Sequence, residues 1–141
     1  DKGEKQKDTP EQSIQGLHIL LAEDNELNME IAEFVLQNQG AAVTKAWNGR
    51  EALELFEKSG PGEFDVILMD IMMPVMNGYE ATRRIRSLDR EDAKKIPIIA
   101  MTANAFSEDR LRAKAAGMDE HIPKPIDTTM LIKVICQLVE R

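Results

Sequence analysis

Cysteine is nearly absent: Cys136 is the only one in 141 residues, so neither an internal disulfide nor a thiolate metal site can be built. It lies in the apolar, helical-looking stretch 131–139, where burial as a small hydrophobe is the favoured role of a free thiol. Histidine is scarce too. His18 and His121 have no partner at metal-ligand spacing, which speaks against zinc. No apolar run approaches the roughly 18–20 residues of a membrane span, and no signal-peptide pattern is visible. Basic charge is in deficit. The net charge of −7 argues against non-specific binding to nucleic acid or to an acidic membrane surface. The glycine-lysine motif of a P-loop is missing, as are repeats and low-complexity segments. These absences fit a reducing, cytoplasmic setting without direct membrane contact.

What is present is enough for one domain with a proper core and too little for two ordinary ones. Residues 1–16 are almost wholly polar, with Ile14 the lone large apolar side chain, and read as a tail or linker. The chain does not begin with Met, and a piece of a longer protein is the expectation. The domain is expected over 17–141. There, strand-like and helix-like segments alternate, as in a parallel α/β sheet. Strands are predicted over 17–22, 42–46, 64–69, 96–101 and around 120–122. Helices are predicted after each: one carrying Leu27, Ile31, Phe34 and Val35 at helical spacing, one with Ala52, Leu53 and Phe56, one from Gly78 with Ala81, Ile85 and Leu88, then 107–116 and 128–139.

The strands suggest their own order. The first, third and fourth are near-continuous apolar runs, as strands covered on both faces should be. The second carries Thr44 and Lys45, and the fifth is short and polar, so both belong at edges. Right-handed crossovers then favour the order 2-1-3-4-5, a doubly wound sheet with its switch point between the first and third strands.

That order brings carboxylates together. Glu23 and Asp24 follow the first strand and Asp70 follows the third, all at the carboxyl edge where open α/β sheets place their chemistry. Two like charges about 4 Å apart repel by roughly 1 kcal/mol in water and by several at an effective dielectric near 20, so a cation is expected. All-oxygen ligands favour a hard ion, and Mg²⁺ with retained waters is the simplest match. Asp24 alone would as readily cap the following helix. Lys124, between Pro123 and Pro125, leaves the same edge, as does Thr102 after the fourth strand. Alone, the one would be a solvated loop lysine and the other a turn hydroxyl. An acidic pair, an Asp, a hydroxyl and a lysine ending four strands in turn are not expected by chance.

The segments Leu21-Ala22-Glu23-Asp24-Asn25, Met69-Asp70-Ile71-Met72-Met73-Pro74, Met76-Asn77-Gly78, Met101-Thr102-Ala103 and Lys124-Pro125 together resemble the receiver domains of two-component response regulators. Thr102-Ala103-Asn104-Ala105-Phe106, with Ala116-Gly117-Met118-Asp119, is most similar to receivers fused to hybrid sensor histidine kinases. The resemblance implies a flavodoxin-like (βα)5 fold and a phosphorelay function without true turnover. It makes Asp70 the phosphoacceptor, with Mg²⁺ (Mn²⁺ as a substitute) held by Asp24, Asp70 and the backbone carbonyl of Met72, and Glu23 acting directly or through water. Lys124 would neutralise a phosphoryl oxygen, and Thr102 and His121 would be the switch residues. They would act on the face made by the helix over 107–116, the fifth strand and the last helix. His121 departs from the pattern, since many members carry Tyr or Phe there. The implied partners are a histidine kinase domain or a histidine phosphotransfer protein, met at a rim of Asn25, Glu26, Asn28, Met29, Pro125 and Ile126. The isolated domain is expected to be monomeric, in the cytoplasm, free or tethered to a membrane-bound kinase. A cis peptide at Lys124–Pro125 is expected by the same analogy. Two other classes stand beside this reading. An aspartyl-phosphate hydrolase usually carries a second Asp where Met72 stands, and a non-phosphorylated interaction module usually lacks one of the site residues.

Overall fold

The computed structural model describes residues 13–103 and 107–139. Five parallel strands, β1 (His18–Ala22), β2 (Ala42–Ala46), β3 (Val66–Asp70), β4 (Ile98–Thr102) and β5 (Glu120–Pro123), form one sheet in the order β2-β1-β3-β4-β5. The crossovers carry α1 (Glu26–Asn38), α2 (Gly49–Lys58), α3 (Gly78–Arg86), a short α4 (Glu91–Lys95), α5 (Ser107–Ala116) and, after β5, α6 (Thr128–Val139). The fold is the expected flavodoxin-like one with a sixth helix added. All five residues of β3 and of β4 are buried, which is why those runs are apolar without alternation. Their alternate side chains feed two cores. Leu20, Ile67 and Met69 pack with Phe56, Tyr79, Ile85 and Ala113 on one face, while Ile19, Leu21 and Leu68 pack with Met29, Leu36, Leu131 and Ile135 on the other. Each large side chain so buried contributes roughly 1.5–3 kcal/mol.

Three helices that start at the carboxyl edge share one device. The side chains of Asn25, Asn48 and Asn77 accept from the backbone N–H of Asn28 (2.8 Å), Glu51 (2.9 Å) and Glu80 (2.9 Å). Each such cap is worth about 1 kcal/mol and fixes where a helix begins beside the site.

The structure departs from expectation in four places. β3 and β4 start and end later than predicted, so Asp70 and Thr102 are the last residues of the ladders rather than the first residues beyond them. The packed domain starts before Leu17: Ile14 is buried among Met29, Leu131 and other residues of the second core, and Gly16 donates to the Gly40 carbonyl at 2.9 Å. One apolar residue in a polar stretch has no periodicity to announce it. α4 has no counterpart among the predicted helices, because its five residues, four of them charged, carry no helical pattern. It is held by Arg90, which donates to the Phe56 and Ser59 carbonyls at the end of α2 (2.8 and 3.0 Å), stacks 4.5 Å over the Phe56 ring and pairs with Asp92 at 2.7 Å. Finally, α1 presents two apolar stripes. Met29, Ala32 and Leu36 face the core, whereas Leu27, Ile31 and Phe34, the spacing that marked the helix, are exposed.

Candidate phosphoacceptor site

The register aligns the strand ends. Ala22 is level with Ala46 and Met69, Asp70 with Met101, and Thr102 with Pro123. The residue after β1, Glu23, is fixed through its backbone N–H, which donates to the Ala46 carbonyl at 3.0 Å. Its side chain is buried and fully engaged: Oε1 accepts from Lys124 Nζ at 2.7 Å and Oε2 from the Asn25 N–H at 3.0 Å. Lys124 Nζ also lies 3.2 Å from Asp70 Oδ2. The backbone N–H of Lys124 donates to the Thr102 carbonyl at 2.8 Å, which ties the lysine's loop to the end of β4. The Lys124–Pro125 peptide is cis, as expected.

Carboxylate oxygens of Glu23, Asp24 and Asp70 lie within 4.8 Å of one another. Asp24 is exposed and does not cap α1; Asn25 does that. Asp70 is buried, and its carboxyl is pushed up to about 6, first by desolvation and then by the Glu23 charge, although Lys124 pulls the other way. Burial also works against the Lys124 ammonium, but its hydrogen bond to Glu23 and the Asp70 and Glu23 charges outweigh this and raise it above its usual value. One ammonium therefore faces three carboxylates, and the acid that suffers is Asp70. The donor set is all oxygen, with exposed Asp24 open to solvent. It fits a hard cation such as Mg²⁺ and offers nothing to a soft one.

Glu23, Asp24, Asp70 and Lys124 are thus brought together, with Thr102 buried at the next strand end. Met72 lies in the loop after β3 with its side chain largely in solvent. His121 is not part of the cluster. It is half-buried on the edge strand β5, level with Ala100, and lines a cavity of about 130 Å³ with Arg110, Lys114 and Asp119. Asn104 lies outside the described residues. Of the expected rim, Asn25, Glu26, Asn28 and Pro125 are exposed and Ile126 is half-buried. Met29 is a correction. It points into the core, because the inner stripe of α1 runs through positions 29, 32 and 36. Its place beside the rim is taken by Ile31, which with Asn28, Lys124, Pro125 and Ile126 lines a notch of about 110 Å³ against Glu23. The signal for this was legible only as a competition between two stripes on one helix.

The arrangement of a buried strand-end carboxylate, an acidic pair and a lysine on this sheet defines the receiver class. The sequence model of the family described as "Response regulator receiver domain" matches residues 19–136, and the chain belongs to that family: it is a receiver domain of two-component signalling. Among curated relatives, Histidine kinase 1 of Arabidopsis thaliana is 32% identical over 92% of this chain, and Hybrid signal transduction histidine kinase I of Dictyostelium discoideum is 37% identical over 86%. The chain spans only 13% and 7% of those two proteins. Among solved structures, the receiver domain of a sensor histidine kinase from Pseudomonas aeruginosa, with a magnesium ion coordinated in its active-site cleft, is 37% identical (TM-score 0.80; 89% of this chain, 99% of that one). The receiver of a Saccharomyces cerevisiae response regulator, co-crystallised with a histidine phosphotransfer protein, is 27% identical (TM-score 0.78; 88% of this chain, 89% of that one). Among the described residues, no helix is long and apolar enough to cross a membrane.

Proposed function

We propose that Asp70 accepts a phosphoryl group from a phosphohistidine. The observation that carries this is a buried carboxylate at the end of β3 with Lys124 at 3.2 Å and two further carboxylates alongside. An Asp70 carboxylate oxygen attacks phosphorus, the P–N bond to the imidazole breaks, and the chain gains an acyl phosphate while the imidazole leaves with the electron pair. Such transfer depends on positioning and charge neutralisation more than on acid or base chemistry. A bound Mg²⁺, or Mn²⁺ in its place, would supply the positive charge that the carboxylates and phosphoryl oxygens need. Asp24, Asp70 and the Met72 carbonyl would hold it. Glu23, already committed to Lys124 and the Asn25 N–H, would act through water. Lys124 pairs with a phosphoryl oxygen, and the Thr102 hydroxyl contacts another.

The reading continues to output and partner. Movement of Thr102 toward the acyl phosphate and of His121 inward shifts the α5-β5-α6 face between pre-existing states. A histidine kinase domain or phosphotransfer protein docks at Asn25, Glu26, Asn28, Pro125 and Ile126, with the exposed Leu27 and Ile31 of α1 offering it apolar surface. The domain works in the cytoplasm, free or as part of a longer kinase. Treatment with acetyl phosphate and Mg²⁺ should add one phosphoryl group per chain by mass spectrometry, and none in Asp70→Asn. Labelling that survives this substitution would refute the assignment. Lys124→Ala and Asp24→Ala should each slow labelling by about tenfold or more, by removing charge from around the transferring group.

A further inference from the structure

The loop after β3 is pinned at its base. Ile71 donates to the Met101 carbonyl at 3.2 Å, and the Ile71 carbonyl accepts from Gly78 at 2.8 Å, so residues 72–77 form a closed excursion beside Asp70. Among the described residues, one backbone bond ties the interior of that excursion, 72–76, to another element. It runs from the Gly49 N–H, at the first residue of α2, to the Met76 carbonyl at 2.9 Å. Gly49 is buried, and a Cβ there would collide with the Met76 carbonyl oxygen and stand 2.9 Å from that of Asn77. Such a clash is with backbone and cannot be relieved by turning a side chain. At the other end, a Cβ on Gly78 would run into the Asp70 carbonyl oxygen and stand 3.0 Å from the Ile71 Cα. The ordinary φ of Gly49 shows that glycine stands there for closeness rather than for backbone freedom.

We propose that Gly49 is a positioning residue for the Asp70 chemistry: the missing side chain lets the first turn of α2 clamp the 72–76 loop, and the clamp holds the Met72 carbonyl at the cation site. Gly49 touches no reacting group. It acts through Met76, from a helix that contributes no side chain to the site. This inference rests on the reading of Asp70 and Met72 given above.

The test compares wild type, Gly49→Ala, Arg50→Ala as a control for alanine in the same turn, and Ile85→Val as a core variant that loses stability away from the loop. Calorimetric titration with MgCl₂ and the rate of labelling by acetyl phosphate are measured where all four are folded. Gly49→Ala should weaken Mg²⁺ binding by about tenfold, the scale on which supports of metal ligands act. It should slow labelling by about tenfold or more, since small misplacements carry large costs in transfer. Arg50→Ala and Ile85→Val should match wild type in both. Should Gly49→Ala not fold, amide hydrogen exchange in the wild-type chain decides. Mg²⁺ should slow exchange of the Gly49 amide several-fold, and no change on adding Mg²⁺ overturns the clamp. A folded Gly49→Ala with wild-type affinity and rate overturns it as well, leaving the Asp70 assignment standing. A wild-type chain that takes no label overturns both.

Discussion

Val75 is the residue whose replacement should change stability in the unusual direction. Its φ is +69°, and it is the one non-glycine residue with positive φ among those described. The Met76 N–H donates to the Pro74 carbonyl at 2.7 Å, closing a three-residue turn around Val75, the rare strained form of the γ-turn. A left-handed backbone costs an L-residue about 1–2 kcal/mol, and branching at Cβ makes valine a poor occupant. Because the side chain is 71% exposed, its packing returns little of that. The clean comparison is Val75→Gly against Val75→Ala, since the two differ only in the Cβ. At an ordinary position alanine is the more stable by about 0.4–1 kcal/mol, because glycine has more freedom to lose. Here alanine pays the 1–2 kcal/mol and glycine does not, so glycine should be ahead by roughly 0.5–1 kcal/mol. Urea denaturation with an unchanged m-value reads the difference directly. Alanine equal to or more stable than glycine would refute the claim of strain.

Two further outcomes are expected. The Asp92 carboxyl is held down at about 2 by its hydrogen bonds from Arg90 and from the Gly62 N–H, against 3.8 when free. A depressed acid stabilises the fold above its free value and loses that contribution as pH falls through about 2, so wild type should lose stability below about pH 4 more steeply than Asp92→Asn. A shift of this size corresponds to roughly 2 kcal/mol, and screening at a partly exposed pair reduces it to about 1 kcal/mol; parallel urea midpoints for the two chains across that window would refute it. Met72 sits two residues beyond Asp70, exposed and unable to orient a water strongly. Met72→Asn or Met72→Glu should therefore hasten loss of the acyl phosphate, and slower loss in both would remove the argument.

Much of this was legible because burial on two faces leaves a simple trace. The runs at 66–69 and 98–101 are apolar without alternation, and Thr44 and Lys45 mark an edge, so strand order followed from composition. The gathering of Glu23, Asp24, Asp70 and Lys124 was legible for a related reason: polar groups that end such runs have nowhere to go but the sheet's rim. The helix caps were not: Asp24 stood as the candidate cap of the first helix, and the side chains that cap are Asn25, Asn48 and Asn77, each bonding the N–H three residues on. What stayed hidden depends on approach between distant segments. Nothing near Gly49 in sequence reveals the Met76 carbonyl pressed against it, and nothing around Arg90 reveals the end of α2. α1 misled for a different reason. Both of its stripes are helical, and which one is inside is settled by packing: Met29, Ala32 and Leu36 are buried, Leu27, Ile31 and Phe34 exposed.

The bond between Lys124 and Glu23 joins positions 101 residues apart. The first strand of the sheet and the loop after the last must both be in place before the cluster has its ammonium. Contacts of such separation form late and slowly, since chain entropy must be lost before they return anything. A nascent chain, or a proteolytic fragment ending before β5, would carry the acidic cluster without its counter-charge and, on the reading proposed above, would take label more slowly. On that reading, a full labelling rate requires the whole sheet to be complete. A labelling assay would then double as a measure of the correctly folded fraction.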